Sequence, residues 1–240
     1  MPRVPARLAA GSERLFGRPV QVQDVRRLSD GISVVTLSGS VFAADKARAG
    51  AEVEFRVAPT ELRHYTLAAV LSAAGTATVV LHTRGNGPGR AWARTLHPGQ
   101  ALHVLGPCGR PPDAPVIAVL GDATAVGLAI ALRTQPGSRP LTGAVEVHPG
   151  DTGAAAGLLP GLDILPATAV PGAALAGWLR ATPALRPAAF SGTTDQPGAA
   201  VHLAGHAQTC SALRAVLRSR GMPRRLIRVH AYWADGKTGL

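Results

Sequence analysis

The first half of the chain alternates apolar and polar residues over short segments. Six of these segments have the two-residue period and the content of Val, Leu, Ile and Thr that favour β-strands. They span residues 20–28, 32–38, 52–57, 65–71, 76–82 and 101–105. Turn-forming pairs such as Asp30-Gly31, Ala74-Gly75 and Pro98-Gly99 separate them. Six short strands at this spacing predict an antiparallel barrel.

The pattern changes after the proline-rich stretch 110–115. Residues 116–120 form a continuous apolar run, as in a strand buried on both faces of a parallel sheet, and residues 123–132 predict a helix. Further strands are predicted at 143–147, 162–165, 201–203 and 226–230, with helices at 173–180 and 209–220. The sequence therefore predicts two domains: a six-stranded antiparallel β-barrel over residues 1–112, then a doubly wound, mostly parallel α/β domain over residues 113–240.

Composition narrows the class of protein. The chain has 240 residues, of which 46% are hydrophobic, so it can bury a core in each domain. Its two cysteines, Cys108 and Cys210, are far apart and lack metal-ligand spacing, so neither a disulfide framework nor a metal centre is expected. The sequence contains no credible signal peptide or membrane span, and we expect a cytoplasmic monomer without membrane insertion.

The formal net charge of +11 predicts an anionic partner, which leaves nucleic acid, phospholipid and small acidic substrates open. Much of the excess lies in residues 205–240, where Asp235 is the sole carboxylate beside Lys237 and six arginines. Aromatic residues make up 4% of the chain, and no zinc-finger or RNA-recognition motif is evident. A basic nucleic-acid-binding module is therefore an alternative that these features do not favour.

One segment, Arg63-His64-Tyr65-Thr66, has the chemistry to bind a planar anion. No Asp or Glu occurs between Arg63 and Pro112. On a strand, Arg63 and Tyr65 share one face and His64 and Thr66 the other, so a flat ligand with a phosphate tail could use the first pair. The alternative is an ordinary cross-strand pair with a solvated arginine.

A second element follows at Gly87-Pro88-Gly89. These residues let the backbone approach a ligand closely, and the predicted helix 90–96 begins here with an N-terminus that attracts phosphate. The alternative is a plain turn, with Trp92 filling the core.

Taken in order, the motifs resemble those of the siderophore-interacting proteins, flavin-dependent ferric-siderophore reductases of the ferredoxin-reductase-like superfamily. The shared features are an Arg-x-Tyr-Thr tetrad, a histidine before a Gly-Pro-small-x-x-Trp-Ala loop, Pro-Gly followed by Gly-Pro-x-Gly, a Gly-Asp-x-Thr-Ala turn, and a C-terminal Tyr-Trp-x-x-Gly. They occur here at residues 63–66, 82, 87–93, 98–99, 106–109, 121–125 and 232–236.

This resemblance implies roles for individual residues. Arg63 would pair with the diphosphate of FAD, Tyr65 would pack on the isoalloxazine, and Thr66 would hydrogen-bond near its reactive nitrogen, so the last two are the expected catalytic residues. The other expected cofactor-binding residues are His64, His82, Gly87, Pro88, Gly89, Arg90, Trp92, Asp122, Thr124, Ala125 and Trp233. An anionic ferric siderophore would meet a basic rim of Arg84, Arg94, Arg110 and Lys237. The electron donor would be NADPH, NADH or ferredoxin.

The sequence also departs from the family pattern. The family has Gly-Glu-Ala before its last helix, where this chain has Gly205-His206-Ala207. Loss of that carboxylate leaves open a flavin or siderophore carrier without nicotinamide-dependent turnover. For Asp122 the alternative is a helix cap, and for Trp233 an aromatic end to the last strand.

Overall fold

The computed structural model describes residues 15–109, 116–135, 140–182 and 199–237, together with residues 11 and 13. The chain divides into two compact units, one ending at Pro111 and the other running from Pro112 to Thr238.

The first unit is a closed barrel of six strands. The strands are β1 (Arg18–Arg27), β2 (Ile32–Ser38), β3 (Glu52–Ala58), β4 (Glu61–Leu71), β5 (Thr76–His82) and β6 (Ala101–Cys108). They close in the order β1-β2-β5-β4-β3-β6, and the pairings between neighbours are antiparallel. The barrel predicted from the alternating pattern is confirmed.

Alternate residues of these strands fill the barrel. Val53 and Phe55 on β3, Leu67 on β4 and Leu81 on β5 are buried in one hydrophobic cluster. Helix α1 (Pro88–Thr95) connects β5 to β6. Its first residue is proline, whose missing N–H is not needed in the first turn, so the helix begins two residues before its predicted start.

The second unit is an α/β domain with a five-stranded sheet. Its strands are β7 (Val116–Asp122), β8 (Thr142–Val147), β9 (Asp163–Pro166), β10 (Ala200–His206) and β11 (Ile227–Trp233). Its helices are α2 (Val126–Thr134), α3 (Thr152–Leu158), α4 (Ala173–Ala181) and α5 (Ala207–Ser219). The strand pairings are parallel, in the order β11-β10-β7-β8-β9. The predicted doubly wound topology is confirmed.

The order of the sheet reverses between β7 and β10. The chain proceeds outward from β7 through β8 to β9, then returns to β10 on the other side of β7. In open α/β sheets, ligands bind at the carboxyl ends of the strands at such a reversal. The ends of β7 and β10, at Asp122 and His206, are therefore the place in this domain to look for a site.

Two local predictions need correction. Helix α3 was not predicted, because its sequence Thr-Gly-Ala-Ala-Ala-Gly-Leu contains one large apolar residue and therefore no helical period of apolar residues. The helix predicted at 123–132 begins instead as a 3-10 turn over Ala123–Ala125, and the α-helix follows from Val126. Among the described residues, none of the helices combines the length and the apolar character that crossing a bilayer requires.

Candidate functional site

In the barrel domain, the fold brings Arg63 and Tyr65 against the loop at Gly89. A Cβ atom added to Gly89 would lie 3.0 Å from the Tyr65 hydroxyl oxygen and 3.8 Å from Arg63 Cγ. A side chain at position 89 would therefore crowd the tyrosine, which explains why glycine suits this position. The three residues that the sequence predicted to converge lie together at one end of β4.

Tyr65 belongs to an aromatic cluster with Phe55 and Trp92. Its ring stacks on Trp92 with centroids 5.6 Å apart, and Phe55 lies 5.1 Å from Trp92 and 5.9 Å from Tyr65. Burial raises the pKa of the Tyr65 hydroxyl well above its usual value, and the nearby Arg63 charge opposes this only in part. Tyr65 is therefore a fixed, neutral ring at physiological pH, suited to packing and hydrogen bonding rather than to acting as a base.

The guanidinium of Arg63 is held by its own strand. Nη2 pairs with the Glu61 carboxylate, and Nη1 donates to the Leu62 carbonyl at 2.8 Å. In the described part of the chain these contacts use two of the five N–H donors of the guanidinium, so donors remain for an anion. Glu61 was missed in the sequence, although the alternation that places Arg63 and Tyr65 on one face places Glu61 there too.

The start of α1 adds one backbone donor beside this pair. Pro88 has no N–H, and the N–H groups of Arg90 and Ala91 donate to the Gly87 carbonyl at 3.1 and 3.3 Å, so within the described residues the Gly89 N–H is the donor left in this turn. Arg90 donates from Nε to the Thr83 carbonyl at 3.0 Å, which draws its side chain back toward β5. The Gly89 N–H at the start of the helix and the Arg63 guanidinium are groups that attract phosphate.

The other half of the tetrad faces away from this loop. His64 forms an ion pair with Glu54, its cross-strand neighbour on β3, and its Nδ1 lies 3.7 Å from Glu52. The Glu52 carboxylate beside it raises the pKa of His64, and burial lowers it by less. Thr66 lies opposite Glu52 in the register and is 8% exposed. His64 and Thr66 therefore belong to a face with a carboxylate pair, and their cofactor roles remain predictions.

In the α/β domain, a cluster of hydrogen bonds centres on Asp122 at the end of β7. Oδ1 accepts from the Thr124 backbone N–H at 2.8 Å and from its hydroxyl. Oδ2 accepts from the His206 backbone N–H and from Trp233 Nε1, both at 2.8 Å. Asp122 therefore caps the following turn, as the alternative interpretation held, and it also ties together the ends of β7, β10 and β11.

Gly205 makes this cluster possible. Its φ is +115°, a conformation that favours glycine, and a Cβ there would lie 2.4 to 2.6 Å from the carboxylate atoms of Asp122. The glycine of the predicted Gly205-His206-Ala207 turn is thus required by the close approach of Asp122.

Comparison with known proteins identifies the barrel. Residues 43–111 match the family model of the siderophore-interacting FAD-binding domain. The resemblance to the siderophore-interacting proteins is confirmed. The barrel therefore matches a FAD-binding domain, which supports FAD as its cofactor.

Solved structures match over nearly the whole chain. A siderophore utilization protein from T. fusca is 25% identical with a TM-score of 0.72, covering 93% of this chain and 95% of its own. A siderophore-interacting protein from Aeromonas hydrophila is 19% identical with a TM-score of 0.68, covering 92% and 93%. The ferredoxin reductase of a carbazole 1,9a-dioxygenase is 18% identical with a TM-score of 0.68, covering 90% of this chain and 69% of its own. The chain has no significant match among curated proteins.

The residues of the FAD-binding domain fit FAD. Gly89 lets the backbone of α1 pack closely on Tyr65 and Arg63, the Arg63 guanidinium and the Gly89 N–H offer donors to a diphosphate, and Tyr65 offers a neutral ring to the isoalloxazine. The barrel thus combines a match to a FAD-binding domain family with a fold that solved reductases share.

The remaining predicted residues are spread over both domains. His82 ends β5 half-buried and has a partner, whereas Ala125 is fully buried in the second domain and its methyl side chain has no polar atom with which to hold a ligand. The predicted basic rim draws on residues of both domains and stays a prediction. Arg84 is half-buried with a partner of its own, Arg94 and Lys237 are exposed in different domains, and Arg110 lies outside the described residues.

Proposed function

We propose that the protein is a flavin-dependent reductase of ferric siderophores that releases Fe(II) in the cytoplasm. The observation that carries this proposal is the convergence of Arg63, Tyr65 and Gly89 in a domain matching the siderophore-interacting FAD-binding family. When bound, FAD supplies the electron chemistry, taking two electrons from a donor and passing them one at a time to Fe(III). Reduction weakens the oxygen chelate and frees the iron.

The chain's own residues bind and orient in this proposal. Arg63, with the backbone at Gly87 and Gly89, holds the diphosphate, and Glu61 keeps the guanidinium in place. Tyr65 supplies a flat neutral surface, fixed by Trp92 behind it. None of these groups needs to transfer a proton, so their contribution is affinity and orientation.

Charge selects the substrate class in the same proposal. Many ferric siderophores are anionic, and a chain with a formal net charge of +11 attracts them over long range. Arg94 in the barrel domain and Lys237 in the α/β domain are each exposed, so each can attract such a chelate to its own domain, with Arg84 and Arg110 as further candidates.

The test is anaerobic spectroscopy of the purified protein. We expect the absorption spectrum of bound flavin, bleaching on addition of NADPH, NADH or reduced ferredoxin, and recovery of the oxidised spectrum when a ferric hydroxamate or ferric catecholate is added. An Fe(II)-specific chelator should develop colour in the same sample. A colourless protein that takes up no FAD would refute the proposal, and a bound flavin that no donor bleaches would make the protein a carrier.

A further inference from the structure

His206 stands where the family pattern has a glutamate, and its side chain packs against an aromatic ring. It lies at the carboxyl end of β10 and is 5% exposed. Its imidazole stacks on the indole of Trp233, with ring centroids 4.2 Å apart and planes inclined by 23°. The histidine therefore covers one face of the indole.

Two further residues fix the imidazole in this position. Nδ1 lies 2.9 Å from the hydroxyl of Thr209, in the first turn of α5. Nε2 lies 3.2 Å from the exposed carboxylate of Asp235, within ion-pair distance but not at a hydrogen-bond angle. The ring is thus held from the helix on one side and from the segment after β11 on the other.

Trp233 is consequently fixed on two sides. Asp122 accepts its Nε1–H at 2.8 Å, which sets the edge of the indole, and the imidazole of His206 sets its tilt. Trp233 itself is half-buried, so part of its surface can contact a ligand. The indole lies at the carboxyl end of the strands beside the reversal between β7 and β10, where open α/β sheets bind ligands.

We propose that His206 is a positioning residue that holds Trp233 as a stacking platform for the nicotinamide ring of an electron donor. This inference rests on the proposed function. A glutamate at position 206 could not stack on the indole, and it would meet the Asp235 carboxylate with like charge. The imidazole has one flat face for Trp233 and two nitrogens for Thr209 and Asp235. Histidine at position 206 can therefore hold the indole where a glutamate could not.

The first test observes Trp233 directly by NMR. The chain has three tryptophans, so a 15N correlation spectrum contains three indole N–H signals, and W233F assigns the one in question. We expect this signal to exchange slowly with solvent, because Nε1–H is bonded to Asp122. His206→Asn, which can keep the contact to Thr209 but cannot stack, should shift the signal and speed its exchange. His206→Phe, which keeps a stacking ring but not the contacts to Thr209 and Asp235, should keep this exchange slower than in H206N.

The second test measures binding of NADP⁺ and NAD⁺ to the flavin-loaded protein by calorimetry. An aromatic stacking pair contributes enough that H206N should weaken dinucleotide binding by about fivefold, with H206F remaining within about twofold of the wild type. His230→Asn is the matched control, because His230 stacks on Tyr232 in the same strand with centroids 4.5 Å apart and planes inclined by 21°. H230N should leave both the Trp233 signal and dinucleotide affinity unchanged.

The proposal fails if the Trp233 signal is unmoved in H206N, or if H206N and H206F bind dinucleotide as tightly as each other. It also fails if neither dinucleotide binds the wild-type protein. Flavin absorbance, measured on the same samples, reports the FAD-binding function separately. A protein that retains flavin and binds no dinucleotide would overturn the platform while leaving the flavin assignment intact.

Discussion

Replacing Arg63 with alanine should separate binding of the FAD diphosphate from binding of its ring. The guanidinium faces Gly89 and retains N–H donors beyond its contacts to Glu61 and Leu62. Hydrogen bonds to a charged group contribute about 1.5–3 kcal/mol, so R63A should weaken FAD binding roughly 10- to 150-fold. Riboflavin lacks the diphosphate and uses only the aromatic surface, so its affinity should change by less than about twofold.

The neighbouring Glu61 carboxylate also affects the affinity for FAD, so variants of Glu61 give a second measurement. Its side chain is 11% exposed, so R63A leaves a partly buried carboxylate without its cation and next to the diphosphate. Glu61→Gln alone should therefore bind FAD somewhat more tightly, because it keeps an oxygen to orient Arg63 and removes a negative charge. Adding E61Q to R63A should recover part of the lost affinity, and the double-mutant cycle gives the coupling between the two positions.

Affinities are measured by titrating FAD and riboflavin into the flavin-free protein and following flavin fluorescence. Arg26→Ala is the control, since it removes the same charge from an exposed position on β1. R26A should leave both affinities unchanged at moderate ionic strength. Equal losses of FAD and riboflavin affinity in R63A, or equal losses in R63A and R26A, would refute the placement of the diphosphate at Arg63.

Three predictions concern the α/β domain, each measured by urea unfolding. Glu146 is 5% exposed and accepts hydrogen bonds from three backbone N–H groups at the start of α4. E146Q should therefore lower the free energy of unfolding by about 1–3 kcal/mol. The control Asp45→Asn, at an exposed position, should leave it unchanged. Burial lowers the pKa of His202 to about 4 from 6.5, so the unfolded chain takes up a proton first as pH falls. Between pH 6.5 and 4, the free energy of unfolding of the wild type should therefore fall by about 3 kcal/mol more than that of H202Q. Parallel pH profiles of the two proteins would contradict this. Gly205→Ala should lower the free energy of unfolding by at least about 1–3 kcal/mol, because the backbone φ is positive and the new Cβ would clash with Asp122. An unchanged urea midpoint would contradict this geometry.

Local patterns predicted most of the fold because alternation and apolar runs depend on neighbouring residues. Strands β2 and β5 were predicted with their observed bounds, and the other strands differ by a few residues at their ends. Helix α3 was missed because alanine and glycine leave no apolar face to detect. Tertiary packing, in which fully buried Ala155 takes part, stabilises this helix, and local propensity does not reveal such packing.

The site was predictable where it depends on one strand and unpredictable where it depends on several. Two-residue spacing placed Arg63 with Tyr65, and the same rule would have added Glu61. The stack of His206 on Trp233 required the register of β10 with β11, which pairs those two residues after an irregularity at Gly205. The spacing of residues along the chain does not reveal the register between two strands. The sequence therefore shows that His206 departs from the family pattern but not that it lies beside Trp233.

The most direct measurement of the central claim is a crystal structure of the protein grown or soaked with FAD. The account predicts diphosphate oxygens within about 3 Å of the Arg63 guanidinium and of the Gly89 backbone N–H, with the isoalloxazine against Tyr65. A flavin bound elsewhere, or bound with its diphosphate remote from Arg63, would contradict it.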